Sequence, residues 1–274
     1  VLGSGLLGGS IALAVQSRMP SSAGKKKGRR EQGVSDAKDR GVKCASTNLS
    51  EVVEGTDVIV LASPVGAMLE IIEACAESCN LEGVLVTDVG SVKMTPRDLL
   101  GPSISRLGAK YIGSHPMAGS EQAGVSSARD DLFEGAACII TNDFEHSEED
   151  VSMIRSLWQG IGCQCYSTSS EDHDRVMARI SHMPHMLASI GALVGLKDPA
   201  QAKFAGNGMR DTTRVASGHP GMWAEILMEN REALREPVEE AITHLREMLA
   251  LLDDSSDEAL AELLAKAKHL RDEL

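Results

Sequence analysis

Aromatic residues are scarce in this chain. They make up 3% of it, and acidic residues outnumber basic ones, so the formal net charge is −13. Nucleic-acid-binding proteins usually present a basic face, often with aromatic side chains that stack on bases. These two shortages argue against a nucleic-acid partner. The sequence also has no stretch near the roughly 20 apolar residues that a membrane-spanning helix needs, so we expect no membrane partner.

The sequence lacks the patterns of export and of metal binding. No basic region precedes an apolar stretch at the N-terminus, as a signal peptide would require. No Cys-x-x-Cys pair occurs among the six cysteines. His182 and His185 are separated by Pro184, and neither a carboxylate nor a cysteine completes a ligand set, so we predict no metal. We expect a reduced, cytoplasmic protein.

Strand and helix patterns alternate in residues 1–168. Apolar runs predict strands at 57–62, 84–88, 110–113, 137–141 and 164–166. Met68, Ile72 and Cys75 have helical spacing, and Ser147 with Asp150 resembles a helix cap. This order is typical of a Rossmann-like, doubly wound and mostly parallel α/β sheet.

Residues 169–274 contain no strand-like run and predict an all-helical domain. We expect its helices to break near Pro184 and to kink or join at Pro237. Two long apolar stripes, Val176–Val194 and Trp223–Leu252, exceed what one thin bundle would bury. We therefore predict a homodimer formed through the helical domain.

A glycine-rich turn opens the chain and runs into an apolar helix. In such a G-x-G-x-x-G turn the glycines allow a tight bend and close approach to a pyrophosphate, which lies at the helix N-terminus. Together with the end of the 57–62 strand, the turn predicts a site for NAD, with NADP as the alternative. The predicted cofactor-binding residues are Gly3, Gly5, Leu6, Leu7, Gly8 and Ser63.

Two parts of this cofactor pattern are missing. Only Val1 and Leu2 precede the glycines and there is no initiator Met, so we expect the given chain to be a fragment or the product of a gene model that begins too late. Residues 20–43 contain no apolar run, and so they predict no second strand ending in the acidic residue that holds a ribose. The basic run 25–30 would favour NADP if it met a 2′-phosphate. Its alternative is a solvated or disordered charge run.

Three polar clusters are predicted to meet over the nucleotide. His115 follows an apolar run and precedes Pro116, which places the imidazole at a strand end, where it can take a hydroxyl proton. Ser91 follows another strand and is a candidate partner, with an N-cap role as its alternative. Arg214 is the candidate for binding a carboxylate, and a surface arginine is the alternative.

Taken together, the motifs resemble those of the prephenate/arogenate dehydrogenase family of tyrosine biosynthesis. The resemblance spans nearly the whole chain in the family's order. It rests on Gly3–Ser10, Asp88–Lys93, Ser114–Glu121, His173–Asp174, Ser181–His185, Asp211–Arg214 and Trp223.

The resemblance implies oxidative decarboxylation of prephenate to 4-hydroxyphenylpyruvate with reduction of NAD(P)+. It implies that His115 accepts the ring hydroxyl proton, that Ser91 supports His115, and that Arg214 binds a substrate carboxylate. Further substrate-binding residues that it implies are Ser181, His185, Ser120, Glu121 and Trp223. No regulatory domain is apparent before Leu274, so feedback by tyrosine would act at the active site. Arogenate as substrate, or an inactive protein with a decayed cofactor site, are the alternatives.

Overall fold

We describe a computed structural model of the chain, which covers residues 1–3, 5–22, 24–28, 31–119, 124–254 and 256–274. Its first part alternates short strands and helices. The strands are β1 (Lys26–Lys27), β2 (Ala45–Ser46), β3 (Val58–Leu61), β4 (Leu85–Asp88), β5 (Lys110–Tyr111), β6 (Gly113–Pro116), β7 (Ala137–Thr141) and β8 (Gln164–Thr168). The helices are α1 (Leu6–Arg18), α2 (Glu31–Asp39), α3 (Leu49–Val53), α4 (Val65–Ser78), α5 (Met94–Arg106) and α6 (Glu148–Gly160).

The first sheet is parallel and is completed by a single residue. β3 pairs with β4, β4 pairs with β5, and β1 pairs with β2, all parallel. Leu2 forms parallel bridges to both Lys27 and Leu61, so it occupies the place of the central strand. The doubly wound, mostly parallel prediction is confirmed, although its first strand is reduced to this bridge.

The expectation of no strand in residues 20–43 was wrong. β1 lies there and is followed by α2. The strand is held by backbone hydrogen bonds, from Lys26 N to the Cys44 carbonyl at 2.8 Å and from Lys27 N to the Val1 carbonyl at 3.0 Å. Because these bonds need no apolar side chains, hydrophobic periodicity could not reveal the strand. Lys26 is 1% exposed, so it does not belong to a solvated charge run.

A second sheet extends the fold beyond Ile112. β6 runs antiparallel to β7, and β7 is parallel to β8. The Thr87 hydroxyl at the end of β4 donates to the Ser114 hydroxyl of β6 at 2.7 Å, which fastens the two sheets together. As a result, β6 lies beside the carboxyl end of β4, the edge at which open α/β sheets bind ligands.

Helices cover both faces of these sheets. One apolar cluster contains Met68 and Ile72 of α4 with Leu100 of α5, and the other contains Ile11 of α1 with Trp158 of α6. The predicted α4 stripe is therefore buried as expected. The Ser147 cap is also confirmed, since its hydroxyl accepts from Asp150 N at 3.2 Å.

In the described residues after Ser169 the structure contains only helices. They are α7 (Ser170–Met177), α8 (Met183–Gly195), α9 (Pro199–Ala202), α10 (Asn207–Thr213), α11 (Pro220–Glu229), α12 (Arg231–Asp253) and α13 (Asp257–Asp272). Within these residues, as in the rest of the described chain, no helix has the length and apolar character needed to cross a membrane.

The predicted break near Pro184 was wrong, and Pro237 does not join two separate helices; a kink at Pro237 stays a prediction. Residues 178–182 form a π-helical turn that leads directly from α7 into α8, with Pro184 in the first turn of α8. Proline has no N–H to donate to an earlier carbonyl, and the wider π turn accommodates that loss without an interruption. α12 runs through Pro237 to Asp253.

The apolar stripes of the helical part are open to solvent in the single chain. In α8, Ile190 and Val194 are 52% and 73% exposed; in α12, Leu245 and Leu249 are 56% and 59% exposed. Exposed apolar surface of this extent is typical of a protein–protein interface.

Candidate functional site

The glycine turn has the geometry of a phosphate-binding loop. A Cβ on Gly3 would lie 2.0 Å from the Ala62 carbonyl oxygen, and a Cβ on Gly8 would lie 2.6 Å from the Gly3 carbonyl oxygen. Both positions therefore require glycine. The space where a Cβ of Gly5 would lie is open to 4 Å, so a ligand can approach the backbone there. Ser4 lies outside the described residues.

The residues around this turn fit a dinucleotide. Gly5 is the N-cap of α1 and provides no side-chain cap, so the N–H groups of Leu6 and Leu7 in the first turn are available to an anion. The buried Ser63 hydroxyl, just after β3, has no hydrogen-bond partner among the described residues. The predicted cofactor residues thus meet at one edge of the sheet and leave donors for a ligand.

His115 lies in β6, opposite Ile139 of β7, and one residue before that strand ends at Pro116. Pro116 also belongs to β6, since proline is tolerated where the strand lies at a sheet edge. The imidazole is buried, with 7% of the residue exposed. Its Nδ1 lies 2.8 Å from Nε2 of His173 on α7, a contact that the sequence did not predict.

Asp174 completes a row of three buried side chains. Nδ1 of His173 lies 2.7 Å from Asp174 Oδ1. The same carboxylate accepts from the backbone N–H groups of Lys93 and Met94, at 2.7 and 2.9 Å, at the start of α5. The helical part thereby contacts the sheet part next to His115.

Burial keeps both imidazoles in the neutral form. The pKa of His115 lies well below its ordinary value, chiefly because burial disfavours the charged ring, with contributions from His173 and Lys93. Burial also lowers the pKa of His173, although the neighbouring Asp174 carboxylate opposes this effect. A neutral imidazole at position 115 can accept a proton, as the prediction for this residue requires.

A fully buried ion pair lies beneath these histidines. The Lys93 ammonium contacts the Asp88 carboxylate, and both side chains are completely buried. Asp88 also accepts from the Tyr111 hydroxyl at 2.9 Å and from Ser114 N at 3.3 Å. The pair therefore ties the end of β4 to β6, one residue before His115.

Asn230, between α11 and α12, was also missed. Its Nδ2 donates to the Asp174 carbonyl at 2.8 Å and lies 2.9 Å from Nδ1 of His182. Because an amide nitrogen can only donate, Nδ1 of His182 accepts and Nε2 carries the proton. Burial lowers the pKa of His182 to about 4, so the ring is neutral. The ring also lies against the Ser91 backbone, whose hydrogen bond opposes the effect of burial on the pKa.

His185 and Trp223 form one wall of a cavity of about 360 Å³ in the helical part. Their rings are stacked, with centroids 3.5 Å apart and planes 11° from parallel. The cavity is otherwise lined mainly by apolar and small residues, and Nδ1 of His185 has no partner among the described residues. The structure therefore brings two of the predicted substrate residues together.

The other predicted site residues that the structure describes are Arg214, Ser181 and Ser91. Arg214 is exposed and begins a 3₁₀ turn, and two later residues of that region, Ala216 and Gly218, line the cavity. Ser181 is partly buried in the π turn. Ser91 lies between β4 and α5, with its backbone close to His182. Nδ1 of His115 contacts His173, and the support of His115 that the resemblance implies for Ser91 stays a prediction.

Two of the predicted substrate-binding residues, Ser120 and Glu121, fall outside the described residues.

Within the described residues, no group of three or more His, Cys, Asp or Glu side chains could hold a metal ion.

Comparison with known proteins matches both parts of the chain. The family described as "Prephenate dehydrogenase, nucleotide-binding domain" matches residues 11–167, and "Prephenate dehydrogenase, dimerization domain" matches residues 169–266. The prephenate dehydrogenase of Bacillus subtilis is 33% identical over 99% of this chain and 74% of its own length.

Solved structures give the same result. The prephenate dehydrogenase of Aquifex aeolicus, in complex with hydroxyphenyl propionate and NAD+, superposes with a TM-score of 0.87 at 30% identity. The match covers 99% of this chain and 96% of that one. The arogenate dehydrogenase of Synechocystis superposes with a TM-score of 0.79 at 29% identity, over 99% of this chain and 98% of its own.

Proposed function

Because the chain belongs to the prephenate dehydrogenase family, we propose that it oxidises and decarboxylates prephenate to 4-hydroxyphenylpyruvate with NAD+ as hydride acceptor. The observation that carries the proposal is His115. This buried, neutral imidazole lies at the ligand-binding edge of the sheet, and in the described part of the chain its Nδ1 contacts His173. Such a group can accept the hydroxyl proton that the reaction must remove.

In this reaction the protein has two main tasks, which are to position the reactants and to remove the hydroxyl proton. When bound, the nicotinamide accepts the hydride from the ring carbon that carries the hydroxyl. The Nε2 atom of His115 takes the hydroxyl proton, so that a carbonyl begins to form while the ring carboxylate leaves as CO2. Aromatisation of the ring makes the step favourable, and the residues of the site mainly orient the reactants.

Substrate binding is assigned to residues of the helical part. Arg214 would bind a carboxylate through two parallel N–H groups of its guanidinium. The ammonium group of a lysine cannot make this bidentate contact. His185 and Ser181 would contact the side-chain end of the substrate, while Trp223 supports His185 by stacking. Ser120 and Glu121 stay in the proposal on sequence grounds. Ser91 would contact the nicotinamide end, close to His182.

NAD+ is the proposed cofactor, and NADP+ is the alternative. The open space at Gly5, the uncapped start of α1 and the Ser63 hydroxyl, which has no partner among the described residues, suit the pyrophosphate and nicotinamide halves common to both. The basic run 25–30, which contains β1, is the feature that would favour NADP+. Calorimetric titration of the chain with each dinucleotide separates these two cofactors. It also tests the inactive alternative, which predicts no binding of either.

Arogenate is the alternative substrate, because the chain is also similar to a solved arogenate dehydrogenase. The two substrates differ in a keto or an amino group on the side chain. Among the described residues that line the cavity beside His185, none carries a carboxylate that would pair with an ammonium, which favours prephenate, whereas a contact of the amino group with Glu121 would favour arogenate. Comparison of kcat/KM for the two substrates decides between them.

We further propose that residues 1–168 bind the dinucleotide and that residues 169–274 form a homodimer in the cytoplasm. The exposed apolar stripes of α8 and α12 and the match of residues 169–266 to a dimerization domain support the dimer.

A coupled measurement of NADH formation tests the activity. The wild-type chain should form NADH only when prephenate is added, and His115→Asn should lower kcat by about 10²–10⁴-fold. An exposed substitution on α7, Glu171→Gln, serves as the matched control and should leave kcat unchanged. Full turnover by His115→Asn would remove this residue from the mechanism.

A further inference from the structure

His115 is linked to the helical part through two buried side chains. The row runs from His115 Nδ1 to His173 Nε2, and from His173 Nδ1 to Asp174 Oδ1, with separations of 2.8 and 2.7 Å. The three residues are 7%, 1% and 3% exposed, so water does not compete for these bonds. Each bond needs one donor and one acceptor, and this requirement fixes the protons.

The protons can be assigned from the carboxylate outward. Asp174 already accepts from two backbone N–H groups, and its oxygens can only accept from His173 as well. Nδ1 of His173 must therefore carry a proton, and because the ring is neutral its Nε2 has none. Nε2 of His173 then accepts from Nδ1 of His115. A neutral His115 with its proton on Nδ1 has a bare Nε2.

We propose that His173 and Asp174 are positioning residues that hold His115 in the tautomer with an unprotonated Nε2. The inference rests on the proposed function, in which that atom takes the substrate proton. Without the row, a neutral imidazole could equally carry its proton on Nε2, and the base would be lost in that fraction of the molecules.

Asp174 also makes the orientation of the base depend on the docking of the two parts of the chain. Its carboxylate lies at the N-terminus of α5, where Lys93 is the N-cap and provides no side-chain cap. The helix start supplies two N–H donors and a favourable field for a negative charge. His115 belongs to the sheet, whereas His173 and Asp174 belong to α7, so the row forms only when α7 lies against α5.

Two substitutions of His173 separate hydrogen bonding from packing. In His173→Gln the amide oxygen can still accept from His115 Nδ1, whereas His173→Leu provides no acceptor. We expect kcat to fall at least tenfold in His173→Leu and by less than threefold in His173→Gln. The KM for prephenate should be unchanged in both, because both ring nitrogens of His173 are bound within the protein, to His115 and to Asp174. Glu171→Gln is again the control.

The tautomer can be observed directly in the cofactor-free chain by nitrogen NMR with labelled histidine. The His115 signals are identified by their loss in His115→Asn. We expect a protonated Nδ1 and a bare Nε2 in the wild type and in His173→Gln, and a mixture of tautomers in His173→Leu.

The outcomes separate this inference from the proposed function. A wild-type His115 with its proton on Nε2 overturns the inference, even if prephenate is oxidised and even if His173→Leu fails to fold. Equal kcat values for the Gln and Leu variants also overturn it. A wild-type chain with the expected tautomer that does not oxidise prephenate would instead refute the proposed function.

Discussion

Glu229, the last residue of α11, should make the stability of the protein depend on pH. Burial raises the pKa of its carboxyl from 4.5 to about 7, and the nearby Glu225 and Asp174 carboxylates add to the rise while Lys93 opposes it. The folded state therefore binds this proton more tightly than the unfolded state does. Stability is highest below the unfolded pKa, falls as the pH rises from about 4.5 to about 7, and is constant above that range.

The size of this effect follows from the two pKa values. A tenfold change in proton affinity is worth about 1.36 kcal/mol, so the full shift sets an upper limit of about 3.4 kcal/mol. Glu229 is only half-buried, and solvent screening reduces the expected penalty to about 1–2 kcal/mol. Glu229→Gln removes the charge and keeps the shape, so it should be more stable than the wild type by that amount at pH 8.

Urea unfolding at pH 4 and pH 8 measures the prediction. The difference between Glu229→Gln and the wild type should be near zero at pH 4, below the unfolded pKa, and should grow to about 1–2 kcal/mol at pH 8. Glu239→Gln, at an exposed position of α12, is the control and should show no such change. An equal difference at both pH values would show that Glu229 is not held above its ordinary pKa, and the reasoning would fail.

Two further changes test the cofactor turn and the helical surface. Gly3→Ala places a methyl group against the Ala62 carbonyl, so the turn must shift; we expect at least a tenfold loss of NAD+ affinity by calorimetry and a loss of about 1–3 kcal/mol in stability. Unchanged affinity would show that the turn does not contact the cofactor. Leu249→Asp puts a charge into the exposed stripe of α12 and should convert the dimer to a monomer by light scattering, and a dimer that persists would place the interface elsewhere.

Much of the fold could be predicted because the runs and the spacing of apolar side chains indicate buried strands and helices. β3 and β4 are continuous buried runs, and α4 buries residues at helical spacing. β1 could not be predicted, because two lysines form it through backbone bonds to segments distant in sequence. The π turn was not predicted either. A proline indicates that one backbone hydrogen bond of a helix is lost, but whether the helix ends there or widens into a π turn depends on tertiary packing.

The site was predictable residue by residue but not as a network. A histidine before a proline at a predicted strand end indicated His115, and glycine spacing indicated the cofactor turn. The partner of His115 is 58 residues away, and Asn230 acts 56 residues from Asp174. No local pattern joins residues so far apart, so the contact between His115 and His173 was not predicted.

The same type of contact joins the two parts of the chain at a second place. Gly66 N, in the first turn of α4, donates to the Glu225 carboxylate of α11 at 3.2 Å, and α4 has no side-chain cap of its own. Asp174 caps α5 in the same way.

The two helices α4 and α5 begin after β3 and β4, at the edge of the sheet that holds the glycine turn and His115. Carboxylates from the helical part therefore hold both helix starts, and the cavity beside Trp223 lies on the helix that carries Glu225. Because an uncapped helix start loses about 1 kcal/mol, separation of the parts is opposed at both places. The cofactor edge, the base and the substrate cavity are thus kept in one arrangement by the contacts that join the two parts.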